Sequence, residues 1–134
     1  MRSALGALCD LAYETRLNAS GPYAGRVRVG QVVYVRSLVP YPYIAVVRRV
    51  RRGVATMQWF YRPDDVPAAA MARSAYAPAA REIFLSSDRD ENGLETIVGP
   101  CDVASVDGGR GYFCRAEYTG TALVPCTRWE SATG

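Results

Sequence analysis

The clearest local pattern in the chain is an alternation of apolar and polar residues over residues 26–36. Successive side chains of a strand point to opposite faces of a sheet, so an alternation with a period of two predicts a half-buried strand. The apolar face would carry Val27, Val29, Val33 and Val35, and the polar face would carry Arg28, Tyr34 and Arg36.

Two further apolar runs, at residues 43–50 and 54–62, are separated by Arg52 and Gly53. A short turn of this composition between two apolar runs favours an antiparallel hairpin. Shorter strands are predicted near residues 81–85, 100–106 and 111–118.

Two connecting segments differ in their composition. Residues 107–110, Asp-Gly-Gly-Arg, are expected to join the last two predicted strands as a second hairpin. Residues 66–80 contain eight Ala and two Pro with no clear period, so we expect a loop with room for one helical turn.

The first eighteen residues carry apolar side chains at loosely helical spacing and are followed by Ser20, Gly21 and Pro22, which favour a stop. A short N-terminal helix or a loosely packed extension is therefore expected. A chain of 134 residues suits one domain. Short strands with little helix predict a mainly β fold, a small twisted β-barrel or sheet with short helical turns and an N-terminal extension.

All sixteen basic residues are Arg, and the net charge of +3 is too small to indicate a dedicated nucleic-acid-binding protein. Four of these arginines nevertheless form a compact basic turn at the end of the first predicted hairpin. They are Arg48, Arg49, Arg51 and Arg52. This turn is a possible contact for a nucleosome or an acidic protein surface, or simply a solvated hairpin end.

The absence of His removes most catalytic and metal-binding arrangements, because no Ser-His or Cys-His pair is available. The four cysteines, Cys9, Cys101, Cys114 and Cys126, lack C-x-x-C spacing, so we expect reduced, structural cysteines and no metal. We therefore expect no enzyme, no cofactor and no small-molecule substrate. No apolar stretch is long enough for a membrane span and the N-terminus turns acidic early, so neither a membrane partner nor a secretory signal is expected.

Four sequence segments together resemble one known family. In chain order they are PYIAVVRRV at 42–50, QWFYRPDD at 58–65, REIFLSSDRDEN at 81–92, and GPC with YFCRAEY at 99–101 and 112–118. In this order they are similar to a bromo-adjacent homology (BAH) domain, a chromatin-binding module, and most similar to the members that read methylated histone lysines. The resemblance covers residues 26–118, which leaves residues 1–25 and 119–134 as terminal extensions.

The resemblance changes the interpretation of three aromatic residues. Alternation places Tyr43 on the face opposite Ile44 and puts Trp59 and Tyr61 on one face, about 7 Å apart. Periodicity alone would make the face of Trp59 part of the core. The resemblance instead matches Tyr43, Trp59 and Tyr61 to the aromatic cage that holds a methylated lysine.

The polar segment after the fourth predicted strand, SSDRDEN at 86–92, resembles the part of the family that lines the peptide groove. The resemblance assigns Asp88, Asp90 and Asn92 to this groove. Readers of the Polycomb-type mark on histone three usually carry His at the position of Asp88, which leaves the choice of mark open. The alternative is that Asp88 and Asp90 cap a turn before LETI.

The resemblance implies a nuclear chromatin reader that binds a methylated histone tail, with the Polycomb-type repressive mark on histone three as the expected mark, and acts in gene silencing. No acidic residue interrupts residues 59–61, which favours trimethyllysine. Two alternatives stay open. One is docking on nucleosomes or chromatin-complex subunits regardless of methylation, and the other is recognition of a methyl mark on histone four.

Overall fold

The computed structural model describes residues 4–108 and 111–126, with side chains from residue 11 onward. The helices are α1 (Ala4–Asn18) and α2 (Ala68–Arg73), and short 3-10 helices span Pro63–Asp65 and Leu94–Thr96. The strands are β1 (Val32–Val35), β2 (Tyr43–Arg51), β3 (Val54–Tyr61), β4 (Glu82–Gly93), β5 (Ile97–Pro100), β6 (Val103–Ala104), β7 (Tyr112–Tyr118) and β8 (Leu123–Pro125). The prediction of a mainly β fold is confirmed.

The strands within the described residues form one open sheet rather than a closed barrel. Their order across the sheet is β5-β1-β2-β3-β4-β7-β6, and β8 pairs with β7 outside this path. The first five of these strands pair antiparallel, whereas β7 runs parallel to both β4 and β6. The central antiparallel part carries the candidate site.

Apolar side chains cover the sheet on both faces. One cluster includes Val32, Tyr34, Ile44, Val46 and Phe60. The cluster on the other face includes Val33, Val35, Ala45, Val47, Ala55, Met57 and Ile97, and a third, smaller cluster surrounds Phe84. The first strand is therefore shorter than predicted and buried on both sides, and Tyr34 lies in the core instead of on a polar face.

The first predicted hairpin is present, and its turn has the backbone that the sequence requires. Arg52 and Gly53 have φ values of 52° and 79°, which matches a two-residue type I′ turn between Arg51 and Val54. The pairing of β2 with β3 contains one irregularity, because Val47 lies opposite Met57 while Arg49 lies opposite Thr56. Arg48 is thus an extra residue, a β-bulge in β2.

The bulge changes the face on which the end of β2 presents its side chains. One extra residue shifts the alternation by one position, so every side chain beyond it changes face. Val50 consequently packs against the cluster of Ala45 and Val47. A regular alternation without the bulge would instead place Val50 on the face of Ile44 and Val46.

Two other predictions from the sequence are corrected by strand pairing. Strand β4 continues through residue 93, so the polar segment 86–92 belongs to the strand and does not follow it. The strands β6 and β7 pair parallel, with Val103 opposite Tyr112, so residues 107–110 do not close a hairpin. The Ala-rich segment contains α2.

A buried polar network joins α1 to the sheet. Glu14 in α1 is 5% exposed and accepts hydrogen bonds from the Tyr112 hydroxyl and from the Arg62 guanidinium, the latter at 3.4 Å. Arg62 also donates to the Tyr112 oxygen and to the Pro42 carbonyl, each at 2.9 Å. Burial lowers the pKa of Arg62, but Tyr112 and Glu14 outweigh it and leave this pKa raised. The guanidinium stays charged and is neutralised by Glu14.

Cys101 and Cys114 are buried members of the first cluster without a disulfide, and burial raises the pKa of both thiols to about 12.

No helix within residues 4–108 and 111–126 is long and apolar enough to cross a membrane. Over the same part of the chain, no three His, Cys, Asp or Glu side chains are grouped to hold a metal ion. The side chain of Cys9 lies outside the described residues.

Removing Glu14 should destabilise the fold, because the charge of Arg62 would remain buried without its counterion. We expect Glu14→Ala to lower the free energy of unfolding by about 3 kcal/mol in urea titrations. Arg16→Ala, an exposed position on the same helix, should change it by less than about 0.5 kcal/mol. Equal effects of the two variants would show that the buried pair does not hold α1 to the sheet.

Candidate functional site

The β2–β3 pairing places three aromatic side chains on one face of the sheet. Ala45 lies opposite Trp59. Tyr43 is two residues before Ala45 and Tyr61 is two residues after Trp59, so the same register brings Tyr43 opposite Tyr61. Side chains that are directly or diagonally opposite on one face are within reach of each other. The rings of Tyr43 and Trp59 pack edge to face, with centroids 5.8 Å apart and an interplanar angle of 73°.

The three rings line one cavity of about 440 Å³. Its lining consists of Tyr43, Trp59, Phe60, Tyr61, Asp65 and Asp90. Tyr43 is 48% exposed, so this wall is open to solvent. The structure therefore brings together all three residues that the sequence assigned to an aromatic cage and places two carboxylates beside them.

Trp59 belongs to both the core and the cavity. Its side chain packs against the cluster that contains Ala45 and Met57, and it remains half-buried. The small side chain of Ala45 on the neighbouring strand leaves space for the indole ring. Trp59 is thus a core contact and a cavity wall at the same time.

A second bulge, in β4, lies next to Trp59. Gln58 pairs with Arg89 and Phe60 pairs with Leu85, so three residues of β4, Ser86 to Asp88, lie opposite one residue of β3. The buried Ser86 holds this arrangement, because its hydroxyl donates to the Trp59 carbonyl at 2.8 Å and accepts from the Asp88 amide at 3.2 Å. β-Bulges commonly re-aim side chains beside functional sites.

The bulge brings Asp88 to the Tyr61 hydroxyl, which donates a hydrogen bond to the carboxylate. The Tyr61 ring also lies against Tyr118, with centroids 5.5 Å apart. The hydrogen bond to Asp88, together with partial burial and the charge of Asp88, raises the pKa of Tyr61 to about 12. Tyr61 is therefore neutral and fixed on two sides. Tyr118 was not singled out from the sequence, because its contact with Tyr61 depends on non-local pairing.

The residues predicted to line a peptide groove all lie in β4 on the cavity side of the sheet. Asp90 pairs with Met57 and lines the cavity. The Asp88 carboxylate accepts a hydrogen bond from the Tyr61 hydroxyl. Asn92 is half-buried, and its amide lies 3.9 Å from the Met57 sulfur. None of the three caps a turn, because β4 includes them all.

The four arginines of the predicted basic turn differ in their contacts and exposure. Arg49, Arg51 and Arg52 line a shallow depression of about 230 Å³ together with Glu91. Arg48 is half-buried and donates to the Gln58 side-chain oxygen at 2.8 Å. Burial and the neighbouring Arg89 lower the pKa of Arg48. Arg89, which the sequence did not single out, belongs to the same surface.

The sequence model of the BAH domain matches residues 26–110, well over half of the chain. The chain belongs to the BAH domain family. The family predicted from the sequence is thus confirmed. All residues that line the cavity, from Tyr43 in β2 to Asp90 in β4, lie within the matched residues.

Two known proteins are also similar to this chain, one in sequence and one in structure. The chromatin remodeling protein SHL of Arabidopsis thaliana is 30% identical to this BAH domain over 111 residues, covering 71% of this chain and 47% of the relative. The crystal structure of the yeast Rsc2 BAH domain superposes with a TM-score of 0.60 at 14% identity, covering 81% of this chain and 54% of that chain. The chain spans about half the length of the curated relative, and the second similarity establishes the fold.

Asp88→Ala in this BAH domain should lower the pKa of Tyr61 from about 12 towards its ordinary value of 10, because the variant removes the acceptor and its charge. Titration of carbon-13-labelled tyrosine rings by NMR measures this shift. Asp90→Ala is the matched control and should leave the Tyr61 titration unchanged. An unchanged pKa in Asp88→Ala would contradict the hydrogen bond between Tyr61 and Asp88.

Proposed function

We propose that this BAH domain is a non-catalytic, nuclear chromatin reader that binds a methylated lysine of a histone tail. The observation that carries the proposal is the convergence of Tyr43, Trp59 and Tyr61 on one open cavity. Membership of the BAH family and similarity to a chromatin remodeling protein support a chromatin partner.

Aromatic walls suit a methylated ammonium group for a physical reason. Methylation removes N–H donors and weakens hydration, while the negative faces of aromatic rings attract the remaining positive charge. Each such contact contributes about 0.5 to 2 kcal/mol. Three rings therefore provide a few kcal/mol, short of the roughly 8 kcal/mol of a micromolar complex.

The remaining affinity must come from residues that flank the methyllysine in the peptide. The second half of β4 is exposed from Ser87 to Glu91 and carries Asp88 and Asp90 on the cavity side. These carboxylates favour a peptide with basic residues beside the methylated lysine, as histone tails have. We propose that the mark is the Polycomb-type repressive mark on histone three and that the domain acts in gene silencing, with a methyl mark on histone four as the alternative.

The degree of methylation depends on the carboxylates at the cavity. The sequence favoured trimethyllysine because no acid lies between Trp59 and Tyr61. Asp65 lines the cavity, but its carboxylate already accepts the Arg62 amide at 2.9 Å. Trimethyllysine remains the proposed ligand, and Asp90 is the residue that would admit dimethyllysine.

A peptide array of unmodified and mono-, di- and trimethylated histone lysines, followed by titration calorimetry, tests the proposal. We expect methyl-dependent binding, and a loss of at least about tenfold in Tyr43→Ala with an unchanged melting temperature, because Tyr43 is half exposed. Trp59→Leu keeps apolar contact with the core but removes the ring and should also weaken binding.

Tyr13→Ala is the matched control, since Tyr13 is 51% exposed and does not line this cavity. It should bind the methylated peptide like the original protein. Binding that ignores methylation and disappears with salt would refute the cage and favour charge-driven docking on nucleosomes or partner proteins.

Asp90→Ala should discriminate between methylation states. Of these two ligands, only dimethyllysine retains an N–H that a carboxylate can accept, so its affinity should fall roughly tenfold more than that of trimethyllysine. Parallel titrations of the two peptides measure the difference, and Glu91→Ala controls for the loss of one exposed charge. An equal loss for both peptides would show that Asp90 does not reach the ammonium group.

A further inference from the structure

The face of the sheet opposite the cavity carries a concentration of arginine at the end of the β2–β3–β4 ribbon. In β2 and its turn these residues are Arg48, Arg49, Arg51 and Arg52, and β4 contributes Arg89. Glu91, which lies opposite Thr56, is the carboxylate that lines the depression beside them. We call this group of five arginines the basic face.

The bulge at Arg48 creates the basic face. In a regular strand Arg49 and Arg51 would point to the cavity side and only Arg48 and Val50 to the other. The extra residue reverses the alternation, so Arg49 pairs with Thr56 and Arg51 pairs with Val54, on the same face as Gln58. Val50 is partly buried in exchange. The bulge at Arg48 thus places Arg49 and Arg51 on the same face as Gln58.

Two of the arginines converge on one neutral atom. The Gln58 side-chain oxygen accepts from Arg48 at 2.8 Å and lies 3.5 Å from an Arg89 guanidinium nitrogen. The Gln58 amide nitrogen donates to the Ser86 carbonyl at 2.7 Å, which fixes the orientation of the side chain. Within the part of the chain that the structure describes, neither guanidinium forms an ion pair with a carboxylate. Two like charges are therefore held close together without an acidic partner.

We propose that the basic face binds the phosphate backbone of double-stranded DNA. Planar guanidinium groups bind phosphate oxygens bidentately, and an anion beside Arg48 and Arg89 relieves their mutual repulsion. The other three arginines continue the positive surface along the ribbon to the turn. Backbone contacts of this kind position a protein on DNA without reading its sequence.

The composition of the basic face favours nucleic acid over an acidic protein. Protein interfaces usually contain a buried apolar centre with aromatic residues. Here the only exposed apolar side chain among the residues of the depression is Val54, at 38% exposure, within a surface of arginines. The proposal is independent of the methyllysine cage, because the two surfaces lie on opposite faces of β3.

The experiment titrates the whole chain with a fluorescent DNA duplex of arbitrary sequence over a range of salt concentrations. Two double variants test the basic face, Arg48→Gln/Arg89→Gln and Arg49→Gln/Arg51→Gln. The control, Arg16→Gln/Arg26→Gln, removes the same charge from exposed positions outside the ribbon. Thermal melts verify that each variant is folded.

We expect binding that weakens with salt, with a slope of about 0.9 per phosphate contacted in a double logarithmic plot. Each test variant should reduce this slope by about 2, and the control should leave it unchanged. Affinity for a methylated peptide should be the same in all variants, so failure of the DNA proposal and failure of the cage give different results.

Three results would overturn the proposal. The first is no binding to the duplex at low salt, and the second is an equal loss in the control variant, which would reflect net charge alone. The third is displacement of the DNA by a polyglutamate peptide at lower concentration than by unlabelled duplex, which would assign the basic face to an acidic protein partner.

Discussion

The pairing of β2 with β3 is the constraint on which both proposed binding surfaces of this BAH domain depend. Before the bulge, the register that sets Ala45 opposite Trp59 holds the three rings on one face. After the bulge, the shifted register turns the arginines to the other face. A shift of one residue in this pairing would move the aromatic rings and the arginines to the opposite faces. The register therefore decides which side chains each face presents. The tight turn at Arg52 and Gly53 and the buried apolar residues on both faces fix it.

Contacts with neighbouring side chains also hold the aromatic rings that line the cavity. A ring that is wholly exposed would lose conformational entropy on binding, whereas a ring anchored in a cluster is already ordered. Trp59 packs against the core, Tyr61 contacts Asp88 and Tyr118, and Tyr43 packs against Trp59. The supporting contacts come from β4 and β7. The cavity is therefore a property of the sheet and not of one strand.

The sequence predicted the parts of this domain that depend on local patterns. Alternation in β3 placed Trp59 and Tyr61 on one face, and Arg52 with Gly53 marked the turn. Periodicity could not locate the bulges at Arg48 and at Ser86 to Asp88, because a bulge is defined by the partner strand. The parallel pairing of β6 with β7 was missed for the same reason. The family resemblance supplied the candidate rings, whereas Arg89 and Tyr118 emerged only from spatial proximity.

The network around Glu14 has a consequence for the choice of domain boundaries. Glu14 and Tyr112 are separated by 98 positions in the chain, yet both contact Arg62 directly after the strand that carries Trp59 and Tyr61. A fragment that begins at residue 26, where the family match begins, would keep Arg62 and lose its counterion. Truncation at that point would thus leave an unpaired charge next to the strand ends that shape the cavity. The helix α1, which precedes the family match, therefore belongs to the folded domain.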